Sequence, residues 1–174
     1  MHTIKIALLG AGTVGSGVIQ ALSMNADIIA GRSGAYIEIK KILVRDAKKQ
    51  RPEVNGILLT DNFDEILDDE EISIVVEVMG GLSPARDYML RSMAAGKHVV
   101  TANKDVIAQH LSELYTAANE NTVDFLYEAS VGGGIPIIKP LKECLTANKI
   151  SEIMGVINGT TNYMLTKMTE KHIS

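Results

Sequence analysis

Closely spaced glycines follow an apolar run near the start of the chain. Residues 4–9 (IKIALL) have the aliphatic content of a buried strand, and Gly10, Gly12 and Gly15 follow in a GxGxxG pattern. There the first glycine permits a sharp turn, the second admits a pyrophosphate, and the third lets a helix pack closely on the strand. Helical spacing continues through Val14, Val18, Ile19 and Leu22. Since free N–H groups at a helix N-terminus bind anions, the stretch predicts a dinucleotide site, with a purely structural glycine turn as the alternative.

Basic residues follow the second predicted strand, residues 36–44. They are Arg45, Lys48, Lys49 and Arg51. In dinucleotide-binding folds an acidic residue at the end of this strand takes the ribose 2′-OH, whereas a nearby arginine accommodates a 2′-phosphate. The basic balance favours NADP, but Asp46 could instead serve the 2′-OH of NAD. A solvated charged loop is the alternative to any binding role.

Two further strand ends carry candidate residues. The apolar run 72–79 ends at Gly80-Gly81, and the predicted strand 98–101 is followed by Ala102-Asn103-Lys104. Ligands of open α/β sheets bind at the carboxyl ends of strands, so Gly80 and Lys104 are predicted on the ligand side. A lysine that opens a helix opposes the helix dipole, which favours a functional role for Lys104 over that of an ordinary surface lysine.

The composition indicates a globular α/β protein. The chain has 174 residues, of which 46% are hydrophobic and 22% charged, and its net charge is −4. No apolar run approaches the roughly 20 residues that span a bilayer, and no signal peptide is expected because the first residues enter a strand directly. The acidic charge argues against nucleic-acid binding, and the single cysteine suits a reducing cytoplasm. A cytoplasmic protein without membrane or nucleic-acid partners is therefore expected.

Strand and helix patterns alternate along the chain. Besides the strands above, strands are predicted at residues 56–60, 124–127 and 150–157. Helices are predicted from about residues 13, 61, 84, 102, 136 and 160, whereas residues 24–34 are interpreted as a polar connection. A Met-rich stripe in the helix predicted from about residue 84 is assigned to the core. This alternation predicts an α/β fold, a Rossmann-type doubly wound and mostly parallel sheet.

Four stretches, GAGTVG, GKHVVTANK, YEASVGGGIPII and INGTTNYML, together resemble the homoserine dehydrogenase family. The first is shared by many oxidoreductases, whereas the other three are specific. The resemblance implies NAD(P)-dependent interconversion of homoserine and aspartate 4-semialdehyde, in the pathway to threonine, methionine and isoleucine. It also implies a cofactor domain over residues 1–130, the beginning of an α+β substrate and dimerisation domain over 131–174, and a homo-oligomer, dimer or tetramer, in the complete enzyme.

The resemblance also implies roles for individual residues. The pyrophosphate lies on the glycine turn with Thr13 and Val14, Arg45 lies near the adenosine ribose, and Lys104 lies beside the nicotinamide and the substrate. A monovalent cation, usually sodium, is held by backbone oxygens of the second glycine-rich loop. Its implied ligands are Glu128, Val131, Gly133 and Ile135.

Members of the family continue for well over another hundred residues, which carry the groups that bind homoserine and a proton-donating lysine. The chain is therefore expected to be an N-terminal fragment, inactive alone, whose predicted strand 150–157 is mobile, swapped between subunits or covered by further residues. Two alternatives stay open. An aldehyde-oxidising enzyme such as aspartate-semialdehyde dehydrogenase would need Cys144 as nucleophile, although its helical spacing assigns it to the core. A non-catalytic NAD(P)-binding sensor is the other.

Overall fold

A six-stranded parallel sheet forms the centre of the molecule, in a computed structural model that describes residues 1–49, 54, 56–156 and 158–172. The strand order is β3-β2-β1-β4-β5-β6. This is the Rossmann order, so the predicted fold class is confirmed. The strands are β1 (His2–Leu9), β2 (Ala35–Leu43), β3 (Leu58–Thr60), β4 (Ile72–Glu77), β5 (His98–Thr101) and β6 (Phe125–Leu126).

Helices connect the strands and cover the sheet. They are α1 (Thr13–Met24), α2 (Ala26–Ser33), α3 (Asp64–Leu67), α4 (Ala85–Ala94), α5 (Lys104–Glu120) and α6 (Gly159–Lys171). Short helical turns also form at Glu128–Ser130 and Pro140–Cys144. Crossover helices between parallel strands bury an apolar stripe against the sheet.

The buried side chains of the core form distinct clusters between the sheet and the helices. Met89 and Met93 of α4 are fully buried and pack with Val99 and with Leu114 of α5, which confirms that the Met-rich stripe is core. A second cluster joins Leu8 of β1 to α1 and β2, through Ile19 and Ile42. These clusters hold the ends of β1, β4 and β5 in fixed relative positions.

An ion-pair cluster supports the sheet beside the amino end of β4. The carboxylate of Asp69 accepts a hydrogen bond from Lys40 Nζ at 2.7 Å and lies 3.1 Å from Lys41 Nζ. The hydrogen bond from Lys40, and then that from Lys41, lowers the pKa of Asp69 from 3.8 to about 2, although partial desolvation opposes the shift. The folded protein therefore favours ionised Asp69.

Several local predictions are wrong. The polar connection predicted at 24–34 contains α2, which ends at Gly34 in the left-handed conformation with its N–H donating to Ala30 O. The Ser-Pro pair at residues 83–84 predicts a serine N-cap for α4, but Pro84 is the N-cap and no side-chain cap bond forms there. The helical spacing of Tyr115 with Leu111 and Leu114 predicts that it lies on the buried face of α5, but it is 47% exposed.

The tail also differs from the prediction. Residues 150–156 are exposed and form no strand, because no neighbouring strand pairs with them, and Ile157 lies outside the described residues. Cys144 is exposed rather than buried, because no described element covers the short turn that carries it. In the described part of the chain, no helix is long and apolar enough to cross a membrane.

Candidate cofactor site

A cleft of about 470 Å³ opens at the carboxyl ends of β1, β2 and β4. The turn Gly10–Gly12 forms one side, Arg45 and Asp61 another, and Gly80 a third. The order of the strands reverses between β1 and β4, and open α/β sheets bind dinucleotides at such a switch point. A second hollow of about 530 Å³, between α1 and β2, contains none of the predicted site residues, so the cleft is the better candidate.

The glycine turn has the geometry that its sequence predicts. Gly10 has φ +104°, and its N–H donates to Leu43 O at 2.9 Å. A Cβ atom on Gly15 would lie less than 3.0 Å from Gly10 O, so α1 packs against the turn at a distance that only glycine allows. A Cβ atom on Gly12 would meet nothing within 4 Å, because Gly12 faces open space.

The N-terminus of α1 lies beside this turn. Gly12 is the N-cap, and among the described residues no side chain caps the helix; its first turn also contains no acidic residue. The N–H groups of Thr13 and Val14 have no partner within a helix at these positions, and Val14 is 53% exposed. Unpaired N–H groups and the positive end of the helix dipole suit a pyrophosphate.

Among the described residues of the loop after β2, one basic side chain reaches the cleft. Arg45 is exposed and lines it, whereas Lys48 and Lys49 are exposed but do not line it, and Arg51 lies outside the described residues. Asp46 Oδ1 accepts a hydrogen bond from Lys48 N–H at 2.9 Å, so its carboxylate stabilises the loop. Asp61, whose position before the helix predicted from about residue 61 indicates only a possible helix cap, also lines the cleft, after the end of β3.

A buried polar network lies at the ends of β4 and β5. Glu77 has no exposed surface, and its Oε1 accepts from Met79 N–H at 2.7 Å while its Oε2 accepts from the Thr101 hydroxyl at 2.7 Å. The Thr101 hydroxyl in turn accepts from Asn103 N–H at 3.0 Å, and Asn103 Nδ2 donates to Gly81 O at 2.7 Å. The sequence analysis did not predict this network. The signal that could have revealed it is Glu77, a carboxylate inside an otherwise apolar predicted strand.

Lys104 is the first residue of α5 and is exposed. It does not line the cleft, so the structure does not bring it into direct proximity with Arg45 and the glycine turn. Asn103 caps α5 by accepting from Val106 N–H at 3.3 Å, and its amide group also ties the start of α5 to Gly81. Lys104 therefore lies beside the loop that follows β4, on the carboxyl side of the sheet.

The second glycine-rich loop is organised by Glu128. Its carboxylate accepts from the N–H groups of Ile137, Ile138 and Lys139 at 2.6, 2.9 and 2.6 Å. These bonds, those from Ile137 and Lys139 first, lower the pKa of Glu128 below its ordinary value.

Main-chain oxygens are the donors that this loop can offer a cation. Within the described residues no group of three His, Cys, Asp or Glu side chains could hold a metal ion. Gly132 and Gly133 have φ +71° and +62°, and Val131 N–H donates to Glu128 O at 3.1 Å. Ile135, also among the implied ligands, is 73% exposed.

Comparison with known proteins identifies the type of domain that this cleft belongs to. A family model described as "Homoserine dehydrogenase, NAD binding domain" matches residues 10–128, and one described as "Homoserine dehydrogenase" matches residues 136–174. Homoserine dehydrogenase of Bacillus subtilis is 42% identical over 172 residues, which are 98% of this chain and 40% of the relative. The Synechocystis enzyme is 51% identical over 176 residues, 97% of this chain and 39% of the relative. The chain thus spans about two fifths of these relatives.

Solved structures of related proteins support the same family. A homoserine dehydrogenase from Thiobacillus denitrificans superposes with a TM-score of 0.91 at 46% identity, covering 97% of this chain and 39% of that one. A hyperthermophilic archaeal homoserine dehydrogenase in complex with NADPH gives a TM-score of 0.76 at 28% identity, covering 97% of this chain and 57% of that one. The resemblance found in the sequence motifs is confirmed.

Proposed function

Because the chain belongs to the homoserine dehydrogenase family and matches its NAD-binding domain, we propose that it is the cofactor-binding part of an enzyme that interconverts homoserine and aspartate 4-semialdehyde. The substrate is a small molecule, and the cofactor is a nicotinamide dinucleotide. One observation carries the proposal: the glycine turn, the uncapped start of α1 and Arg45 surround one cleft at the switch point of the sheet.

The residues of the cleft fit a dinucleotide. The pyrophosphate binds over Gly10 and Gly12 and receives hydrogen bonds from the N–H groups of Thr13 and Val14. The open space beside Gly12 supports this placement, because a side chain there would occupy the volume that the anion needs. Gly15 lets α1 approach the turn, and Gly80 lines the opposite side of the cleft.

NADP is the proposed cofactor in preference to NAD. Among the described residues that line the cleft, Arg45 is the basic one, and it can pair with a 2′-phosphate, which guanidinium binds in a bidentate manner. Asp46 is engaged within its own loop through Lys48 N–H, which leaves it less suited to a ribose 2′-OH.

Lys104 is the proposed catalytic residue of this part of the enzyme. The nicotinamide supplies or accepts the hydride. At the start of α5 the ammonium group of Lys104 polarises the substrate carbonyl and stabilises negative charge on its oxygen, an effect that is strongest where water is excluded. The groups that bind the amino end of homoserine and deliver the proton belong to the rest of the enzyme.

A monovalent cation, sodium, is proposed at the loop of Glu128, Val131, Gly133 and Ile135. Glu128 would contribute its main-chain oxygen, since its carboxylate is already engaged by three N–H groups. A hard cation needs several oxygen ligands at once, and Gly132 and Gly133 allow the backbone to turn successive carbonyls inward. A rise in the unfolding temperature in sodium chloride over choline chloride would test this site without an activity assay.

The proposed domain organisation follows the family. Residues 1–130 form the cofactor domain, and residues 131–174 begin a domain that supplies substrate and dimer contacts in a cytoplasmic homo-oligomer. Ile153, Met154, Val156 and Tyr163 are each more than 60% exposed, which supports their burial by further protein.

The experiment is an oxidoreductase assay on the longest gene product that contains this chain. Aspartate 4-semialdehyde should be reduced with NADPH and homoserine oxidised with NADP⁺, and Lys104→Ala should slow both reactions on the order of 100-fold or more. Oxidation of the semialdehyde to an acyl product, abolished by Cys144→Ser, would instead establish the aldehyde-oxidising alternative. Binding of NADP⁺ without any turnover by the full product would favour a sensor.

A further inference from the structure

The polar network at the ends of β4 and β5 forms a closed ring through two loops. Glu77 binds the loop Met79–Gly81, Asn103 binds the same loop at Gly81 O, and Thr101 joins Glu77 to Asn103. Among the described residues Glu77 is the one acidic side chain that is fully buried. Thr101 and Asn103 are also buried, 1% and 4% exposed.

The direction of the hydrogen bonds defines the role of the carboxylate. The Thr101 hydroxyl donates its one hydrogen to Glu77 Oε2, and its oxygen accepts from Asn103 N–H. Both oxygens of Glu77 therefore accept. A glutamine there would either set its amide NH₂ against Met79 N–H or deprive the Thr101 hydroxyl hydrogen of its acceptor, so a carboxylate matches both donors.

A buried carboxylate in a central strand costs free energy that an apolar residue would avoid. The ladders of β4 with β1 and β5 form through backbone groups and do not need this side chain. Among the described residues, the groups that bind the Glu77 carboxylate lie at a strand end or in a loop on the ligand side of the sheet. The network thus fixes loops rather than strands.

We propose that Glu77 and Thr101 are positioning residues, which hold the loop Met79–Gly81 and the start of α5 in the arrangement that binds the nicotinamide half of the cofactor. This inference rests on the proposed function, because it assumes that a dinucleotide crosses the cleft. The adenosine half lies on the side of β2 and Arg45, so the other half lies over β4 and β5. Loss of the network should therefore weaken binding of the nicotinamide half of the cofactor and leave binding of the adenosine half unchanged.

Thr101→Val is the decisive variant, since valine keeps the shape of threonine and removes the hydroxyl. Thr101→Ser restores the hydroxyl and is the matched rescue. Ile72→Val, at the buried amino end of β4 and away from the ligand side of the sheet, is a control for general loss of stability. Calorimetric titrations of each folded chain use NADP⁺ and adenosine 2′,5′-bisphosphate, which represents the adenosine half alone. Circular dichroism and thermal unfolding verify the fold of every variant.

Thr101→Val should bind NADP⁺ on the order of tenfold more weakly, the scale expected when buried hydrogen-bonding groups lose a partner, with adenosine 2′,5′-bisphosphate unaffected. Thr101→Ser should recover most of the affinity, and Ile72→Val should lower the unfolding temperature without changing either Kd. Glu77→Gln gives a second measurement if the valine variant does not fold.

The inference would be overturned if Thr101→Val bound both ligands equally more weakly, or if its NADP⁺ binding were unchanged. It would also be overturned if neither Thr101→Val nor Glu77→Gln folded, and the network would then be a purely structural element. A wild-type chain that binds adenosine 2′,5′-bisphosphate and NADP⁺ equally well would overturn it too. If the wild-type chain binds neither ligand, the proposed function itself fails.

Discussion

Gly15 packs so closely on Gly10 that a Cβ atom on Gly15 would lie less than 3.0 Å from the carbonyl oxygen of Gly10. The obstacle is backbone, which cannot rotate away as a side chain could. Gly12, three residues earlier, faces open space. The two glycines of one turn therefore have different physical roles, one in packing and one in ligand access.

Alanine substitutions separate these roles. Gly15→Ala should destabilise the chain by about 3 kcal/mol or more, because α1 or the turn must move. Gly12→Ala should keep the unfolding temperature but weaken dinucleotide binding by tenfold or more, on the order of one displaced hydrogen-bonded contact. Gly17→Ala, which also meets open space, is the control and should leave binding unchanged. If Gly12→Ala bound the dinucleotide with wild-type affinity, the pyrophosphate could not lie on this turn.

Arg45→Ala should raise the Kd for NADP⁺ by about tenfold or more and leave that for NAD⁺ unchanged, since one charge-assisted pair contributes roughly 1.5–3 kcal/mol. Arg32→Ala, in the last turn of α2, removes an equal charge away from the cleft and should change neither constant. Titration of both cofactors provides the measurement. Wild-type affinity for NAD⁺ equal to or better than that for NADP⁺, unchanged in Arg45→Ala, would refute the NADP assignment.

The sequence predicted the parts of this molecule in which local pattern and tertiary structure agree. Apolar runs that end in glycine identify β1 and β4. The helix predicted from about residue 160 is α6, which begins at Gly159 and is capped by the Asn158 side chain at Thr161 N–H. The helix α2 was missed because its glycines were interpreted as interruptions, whereas Gly34 terminates the helix in the left-handed conformation. Propensity could not distinguish a glycine that breaks a helix from one that ends it.

Other features depend on distant partners. Residues 150–156 have strand-forming composition but lack a neighbouring strand, and a strand needs one to satisfy its backbone groups. The role of Glu77 depends on Thr101, 24 residues away along the chain. A periodic pattern identifies which residues face inward, but it does not show which loop a buried carboxylate meets.

Lys104→Ala, introduced into the complete enzyme, should lower kcat by on the order of 100-fold or more, the scale for loss of one electrostatic donor at a developing oxyanion. Folding should be unaffected, because Lys104 is exposed. Lys104→Arg tests whether charge alone suffices, and Arg32→Ala controls for a surface charge. Steady-state kinetics with circular dichroism provide the measurement, and near-normal turnover by folded Lys104→Ala would make it an ordinary surface residue.

Asp69→Asn should lower stability at neutral pH by about 1–2 kcal/mol, because the folded state favours the ionised carboxylate beside Lys40 and Lys41. The pKa of Asp69 is about 2 in the folded protein against an ordinary 3.8, so this contribution is fully present above pH 3.8 and declines as the pH falls toward 2. Urea unfolding between pH 2 and 7 should therefore show the two proteins converging in acid. Asp68→Asn, at the exposed neighbouring position, is the control. A difference that stays constant down to pH 2 would contradict the assigned cause.

The most direct test of the account combines two measurements on one sample of the 174-residue chain, its intact mass verified. NADP⁺ is titrated by calorimetry, and homoserine oxidation is followed by the absorbance of NADPH. The account predicts saturable NADP⁺ binding, weakened in Gly12→Ala and Arg45→Ala, with no homoserine turnover above background. Absence of NADP⁺ binding by the folded chain would contradict the assignment of the cleft, and homoserine turnover by the verified chain would contradict the claim that the substrate-binding machinery lies elsewhere.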